Sequence, residues 1–430
     1  MSGIQGKPAR RGLPLWLKAL VATLGMQTVA SFLDQSVAVV APLFTRDAGI
    51  APERIGNLTS LSALGVVLFL LFGGPFLARL GPVRTLQVGA LIALCGLLAM
   101  TFAWWPLALS AAILMGMGYG PTPPAGSRIL HSTAPARHRS LIFSIKQAGA
   151  PLGGMLAGLL LPPVAAYFGW RIAIAFSLVV GACAILAVGT MRDRLDEERD
   201  AARSISPRDL FRPRIVAQPF QMIAANPTLV SIVSLGFSFA IVQGSLFSFT
   251  VTYLSGSLQM TLASAGLAYA SMQFSGVCAR IILGFLADRS GKPALFLGCQ
   301  AMFAAAAVLL VASLPVSPDL LVAAGACAAA GFFAASWNGI FLAEVANHAG
   351  SDKIADVTSA STIVVFCGYI IGPTTFSLLA GWTDGYLIPF ALIAAQLVLM
   401  ALVQILATHR RARTSNLCAD SSDVKSSDIH

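Results

Sequence analysis

Long apolar runs dominate the chain, separated by short polar breaks, and the apolar positions inside them show no two-residue alternation. A run of about 18 such residues or more crosses a hydrocarbon core of about 30 Å as a helix. Without the alternating pattern of a barrel strand, helices are the form in which a backbone satisfies its own hydrogen bonds in lipid. The pattern predicts twelve spans, near 15–43, 53–78, 83–102, 105–127, 140–166, 170–191, 227–254, 261–287, 293–313, 319–345, 356–381 and 386–408. The longest polar break, 192–225, contains seven arginines and six acidic residues. It separates an N-terminal six-helix half (1–191) from a C-terminal one (226–408), which is followed by a tail, 409–430, expected to be disordered. A run of mixed charge of this kind reads as a solvated linker.

Composition sharpens the membrane reading. Of 430 residues, 57% are hydrophobic and 11% charged, against about a quarter charged in an ordinary soluble domain. The net charge of +10 comes from short basic clusters between the spans, which points to topology and away from nucleic acid. With the N-terminus inside, one side collects Lys7, Arg10, Arg11, Lys18, Arg79, Arg84, Arg128, Arg137, Arg139, the linker arginines, Arg289, Lys292, Lys353, Arg410, Arg411 and Arg413, and the other only Arg46, Arg54 and Arg171. That asymmetry predicts a multi-pass protein of the cell inner membrane with both termini cytoplasmic. The apolar run from Leu13 is too long, and followed by too many others, for a signal peptide. The seven cysteines lack the paired spacing of a metal site or disulfide framework. No cluster of histidines and carboxylates has ligand spacing, and no nucleophile stands beside a base, so no metal, cofactor or enzymatic chemistry is expected.

The two halves repeat one another. A shift of 210 residues lays Gly56, Gly74, Arg79 and Gly81 on Gly266, Gly284, Arg289 and Gly291. More loosely, Ala150-Pro151 faces Gly372-Pro373 and Phe168-Gly169-Trp170 faces Asp384-Gly385-Tyr386. Parallel six-span repeats are how one transporter class builds two bundles around a shared site. The loop after span 8, Gly284-Phe285-Leu286-Ala287-Asp288-Arg289-Ser290-Gly291-Lys292, resembles the G-x-L-A-D-R-x-G-R/K signature of the major facilitator superfamily. Its copy after span 2 runs from Gly74 through Arg79 and Gly81 to Arg84. The resemblance covers essentially the whole chain. It implies an all-α membrane protein of about twelve transmembrane helices in two pseudo-symmetric six-helix bundles, and a secondary transporter of small solutes, expected as a monomer. It also implies that Asp288 and Arg289 form a charged latch that breaks as the bundles rock. Ala78 stands where the first copy usually has its Asp, so the N-terminal latch is expected to be weaker. Gly149, Pro151, Gly153, Gly154 and Gly158 in span 5 are similar to the family's Gly-Pro-rich motif. Their small residues, like Gly372 and Pro373, suit close helix packing. The Gly116–Pro124 segment reads as a kinked helix, and the family's span-4 arginine of proton-driven antiport is missing, with Ala112 at about that place.

Ionisable residues inside spans cost about 3 kcal/mol or more to insert, which makes each a functional candidate. Arg280 lies eight residues before Asp288, roughly 12 Å from the cytoplasmic end of its helix. Tyr269, Gln273, Gly276 and Arg280 recur at helical spacing and are expected to form one polar stripe facing a cavity. This arginine resembles the substrate-binding arginine of monocarboxylate and oxalate carriers, and a guanidinium suits a carboxylate. A structural ion pair or a gate role are the alternatives. Lys146, two turns into span 5, either snorkels to the surface or adds a second positive charge. Asp34 shares a face with Gln27 and Ser31. Phe32–Pro42 is similar to span 1 of the anion:cation symporter branch, with Gln35 in place of its Arg, which implies Asp34 as proton acceptor; a structural hydrogen bond or outer gate is the alternative. Gln243, Asn338, Tyr369 and Trp337 are further candidate cavity residues. The expectation is a carrier of a small organic anion such as a carboxylate, working by alternating access with protons. The alternatives are an exporter of hydrophobic or cationic compounds and, more remotely, a non-transporting membrane sensor.

Overall fold

Prolines and small capping residues set where most of the helices begin. Pro82–Met100, Trp105–Tyr119, Pro227–Thr252 and Pro293–Ala312 each carry a proline in their first turn, where its missing N–H costs nothing. Asn226 accepts from the Thr228 and Leu229 amides (2.9 and 3.4 Å), and Asp319 accepts from that of Leu321 (2.8 Å), each closing off orphan donors at a helix start. Gly81 and Gly291, at the two signature loops, both have positive φ (85° and 64°), the backbone geometry that favours glycine.

The computed structural model describes residues 14–135, 138–196, 199–200, 213–349 and 353–427. Arg137, the basic residues before Leu13, linker residues 197–198 and 201–212, and 428–430 lie outside the described residues. Among the described residues eleven helices are long and apolar enough to cross a membrane. The twelfth expected crossing, span 4, is two shorter helices, Trp105–Tyr119 and Thr122–Thr133, that meet at Gly120-Pro121. The kink read from its Gly-Pro run is therefore a break between helices. Span 10 is likewise split, into Leu320–Ala334 and Asn338–His348. Span 1 ends at Val39, and a separate short helix, Ala41–Asp47, follows it. The last helix runs from Leu387 to Ser427, past the expected end at 408 and through the tail expected to be disordered.

Spans 1–6 pack together as one bundle and spans 7–12 as another. The bundles meet where span 5 packs on span 8, span 2 on span 11 and span 1 on span 7. Outward faces carry large bare apolar side chains such as Leu186, Ile281 and Phe303. Helices apolar all round are at home in lipid, and soluble monomers rarely expose large contiguous apolar patches.

The linker is less solvated than its charge suggests. The Asp196 carboxylate is buried, accepts from the Val83 and Arg84 amides (2.7 and 3.2 Å) and lies 4.0 Å from the Arg84 guanidinium. The Asp200 amide donates to the Ala78 carbonyl (3.0 Å). The linker thus places a carboxylate at the start of span 3, on the Val83 and Arg84 amides, next to the first signature loop.

Candidate functional site

Between the bundles lies a cavity of about 870 Å³, within the size range of small-molecule sites. Gln27, Ser31 and Asp34 line it together, as their shared face on span 1 predicts, with Ser62, Tyr119 and Gln147 from the N-terminal bundle. The C-terminal bundle contributes Gln243, Phe247, Arg280, Asn338, Phe341, Phe366 and Tyr369. At the end where span 1 begins the lining reaches Gly74, His131 and Ile354, all exposed. At the opposite end Val37, Ile55 and Met100 are buried. The cavity is therefore open on the side where span 1 begins and sealed on the other.

The seal is a polar layer over a glycine contact. The Gln35 Oε1 accepts from the Tyr269 hydroxyl and from Gln273 Nε2 (2.6 Å), and Gln273 Nε2 reaches the Tyr269 oxygen at 2.8 Å. Gln35 Nε2 donates to Ser31 (2.9 Å), whose hydroxyl donates to the Ala150 carbonyl (2.6 Å). Tyr269 and Gln273 are fully buried. The expected polar stripe of span 8 is thus divided: Arg280 faces the cavity, Gly276 packs against Gly331 and Ala335, and Tyr269 and Gln273 bond across the bundle boundary. The reason is Gln35, whose amide offers buried polar partners that an open cavity does not. Gly154 leaves the space for this meeting, since a Cβ there would lie 2.5 Å from the Gln35 oxygen and 2.7 Å from Gln273 Cδ. One turn on, a Cβ at Gly158 would lie 2.8 Å from the Gly266 carbonyl. The span-5 glycines thus serve close packing, and that packing supports the seal.

Arg280 uses only part of its donor set. Nη1 donates to the Gln147 carbonyl (2.9 Å) in the opposite bundle and Nη2 to that of Ala335 (3.3 Å), while Nε has no partner. The ion pairs among the described residues, Arg84–Asp196 and Arg171–Asp47, leave Arg280 without a carboxylate. Lys146 does not snorkel. It is 1% exposed, and its Nζ donates to the Thr122 carbonyl (3.2 Å) and to Gln147 Oε1 (3.4 Å). It also does not line the cavity, because Gln147, held by Gln27 Nε2 (3.3 Å), stands in front of it. Lys146, buried, and Arg280, half-buried on the cavity wall, therefore both sit within membrane-spanning segments without a paired carboxylate among the described residues, a costly arrangement unless something compensates it. Asp34, the acid on this wall, accepts from the Ser62 hydroxyl at 2.5 Å.

Gln243, Asn338 and Tyr369 line the cavity and meet there, with Gln243 Oε1 accepting from Tyr369 (2.8 Å), Asn338 (3.5 Å) and Trp337 (2.9 Å). Trp337 itself is fully buried behind the wall. Sequence reasoning missed Ser62, Tyr119 and Gln147. Tyr119 lies in the Gly-Pro run of span 4 and Gln147 next to Lys146, so proximity to already conspicuous residues was the available signal. Of the signature residues, Asp288 and Arg289 are exposed and make no ion pair among the described residues. Gly284 and Gly291 have open space around them, and Gly81 packs against Asp196.

A model of the Major Facilitator Superfamily matches residues 23–373. The chain is 26% identical over 165 residues to the hexuronate transporter of Bacillus subtilis (strain 168), covering 38% of this chain and 39% of that protein. It is 31% identical over 137 residues to the gallate transporter of Pseudomonas putida, covering 31% and 30%. Each match thus spans well under two thirds of the relative's length. In fold, the chain is similar to a bacterial homologue of the human lysosomal transporter Spinster, solved inward-facing and unoccupied, with TM-score 0.70 and 17% identity over 94% of this chain and 98% of that one. A family match over most of the length, two packed six-helix bundles and a polar cavity between them place this multi-pass membrane protein in the Major Facilitator Superfamily.

Proposed function

We propose that the protein carries a small organic anion, a carboxylate, by alternating access of the central cavity, coupled to protons. The observation that carries this reading is Arg280: a guanidinium on the cavity wall in the middle of a span, with no carboxylate partner among the described residues. A cation maintained there at a cost of about 3 kcal/mol or more gains its counter-charge when an anion enters, and its planar fork matches a carboxylate. The similarity to hexuronate and gallate transporters supports the same chemistry.

In this reading Lys146 strengthens the positive field from behind Gln147, and Gln243, Asn338 and Tyr369 complete the substrate wall. Asp34 takes the proton, and Tyr269 and Gln273 work in the outer seal. The Asp288–Arg289 latch, with Gly284 and Gly291 and the first-copy residues Gly74, Arg79, Gly81 and Arg84, closes the other end when the bundles rock. An unpaired, exposed Asp288 fits a conformation open on that side. The protein acts as a monomer in the cell inner membrane with cytoplasmic termini, and the open cavity is inward-facing.

Arg280→Ala in proteoliposomes should reduce uptake of gallate and glucuronate by about 100-fold or more while the protein still inserts, since a buried charged hydrogen-bond partner contributes about 3 kcal/mol. Undiminished uptake by that variant would remove Arg280 from the site. The aromatic wall and Asp34 also suit an exporter of hydrophobic cations. Counterflow of a cation panel, abolished by Asp34→Asn and indifferent to Arg280→Ala, would favour that reading instead.

A further inference from the structure

One wall group has its orientation dictated from outside the cavity. Gln243 Oε1 faces three donors at once: the Trp337 indole N–H (2.9 Å), the Tyr369 hydroxyl (2.8 Å) and Asn338 Nδ2 (3.5 Å). An indole nitrogen can only donate, so the atom facing it is the amide oxygen and the NH₂ group lies on the other side. Three donors also saturate the two lone pairs of that oxygen, leaving it nothing with which to receive a substrate donor. Among the described residues Nε2 donates to none, and it is not among the polar atoms sealed away from the cavity without a partner. Gln243 lines the cavity while Trp337 does not.

The break in span 10 makes this possible. Trp337 and Asn338 fall at the junction between Leu320–Ala334 and Asn338–His348, so neighbours in sequence both reach the same carbonyl. On an unbroken helix they would point about 100° apart. The indole is fixed in turn, stacked on Phe239 at 5.3 Å and edge-on to Phe341 at 5.4 Å.

We infer that Gln243 is a donor-only contact that selects an oxygen acceptor on the transported anion, and that Trp337 is the positioning residue that makes it so, by pinning the amide with its N–H toward the cavity. The inference rests on the anion reading of the site and adds to it a second donor, on the same bundle as Arg280 but on a different span. A cargo group held here offers oxygen lone pairs, as a carboxylate or carbonyl does, and an ammonium group is rejected. Because Trp337 never touches cargo, its effect passes wholly through Gln243.

The test is binding of gallate and glucuronate to the purified full-length protein by calorimetry, alongside initial uptake rates in proteoliposomes. Gln243→Glu retains acceptor oxygens for Trp337, Tyr369 and Asn338, so it should fold, yet it should weaken binding of both anions roughly tenfold or more through loss of the donor. Trp337→Phe retains the stacking and loses only the N–H. It should raise KM about three- to ten-fold with kcat unchanged, and should add nothing further in a Gln243→Leu background. Full-strength anion binding by Gln243→Glu, or equal effects of Trp337→Phe with and without Gln243, would overturn the inference. Failure of the wild type to bind either anion, or binding indifferent to Arg280→Ala, would overturn the underlying anion reading, and this inference with it.

Discussion

The two bundles share a fold and oppose each other in chemistry. Under the 210-residue shift Asp34 corresponds to Gly244 and Arg280 to Leu70, and all four residues line the cavity. The N-terminal wall thus carries the acid, with hydroxyl and amide groups around it, while the C-terminal wall carries the guanidinium and the oriented Gln243 amide. At the sealed end the repeat persists. Gly56 and Gly266 correspond, and both lie at the boundary between the bundles, Gly56 against Phe249 (2.6 Å for an added Cβ) and Gly266 against the Gly158 carbonyl (2.5 Å). Residues that hold two similar helices together face the same steric demand in each half. Residues on the cavity wall face no such shared demand, so there the two copies are free to diverge.

Three experiments sharpen that comparison. The largest effect is expected at Asp34, where Asn retains an oxygen for the Ser62 hydroxyl but cannot take up a proton. Asp34→Asn should lose proton-driven accumulation of gallate by about tenfold or more while retaining counterflow exchange; accumulation at wild-type levels would take the proton away from this wall. The next concerns the shared glycines. Leucine at 266 meets backbone of span 5, which cannot yield without parting the bundles, and such overpacking costs about 1–3 kcal/mol. Gly266→Leu should shift the population roughly tenfold toward the state open on the far side, read as faster labelling of a cysteine placed at Ser377, whose hydroxyl now donates to the Glu53 carbonyl (2.6 Å). Gly56→Leu should do the same if the two contacts are equivalent, and unchanged labelling in both would break the symmetry argument. The smallest effect belongs to Arg171, exposed and paired with Asp47 at the far end of the N-terminal bundle alone. Arg171→Ala should cost about 0.2–1 kcal/mol and lower the Tm by a few degrees at most without altering transport.

Some of this is written locally in the chain. Run length and charge asymmetry depend on the solvent around each segment, and lipid imposes its rule on every span separately. The sequence by itself therefore determined the number of crossings, the division into halves, the signature loops and the face shared by Gln27, Ser31 and Asp34. Which member of a polar stripe faces the cavity is a different kind of fact. Tyr269, Gln273 and Arg280 look alike by spacing, and only the Gln35 amide on another bundle turned the first two into a seal. Lys146 is screened by Gln147, which Gln27 of span 1 holds, Asp196 accepts from the Val83 and Arg84 amides, and Trp337 sets the direction of Gln243. Each of these depends on partners far away in sequence, brought within 4 Å by packing, and hydrogen bonds at that range have no signature in periodicity.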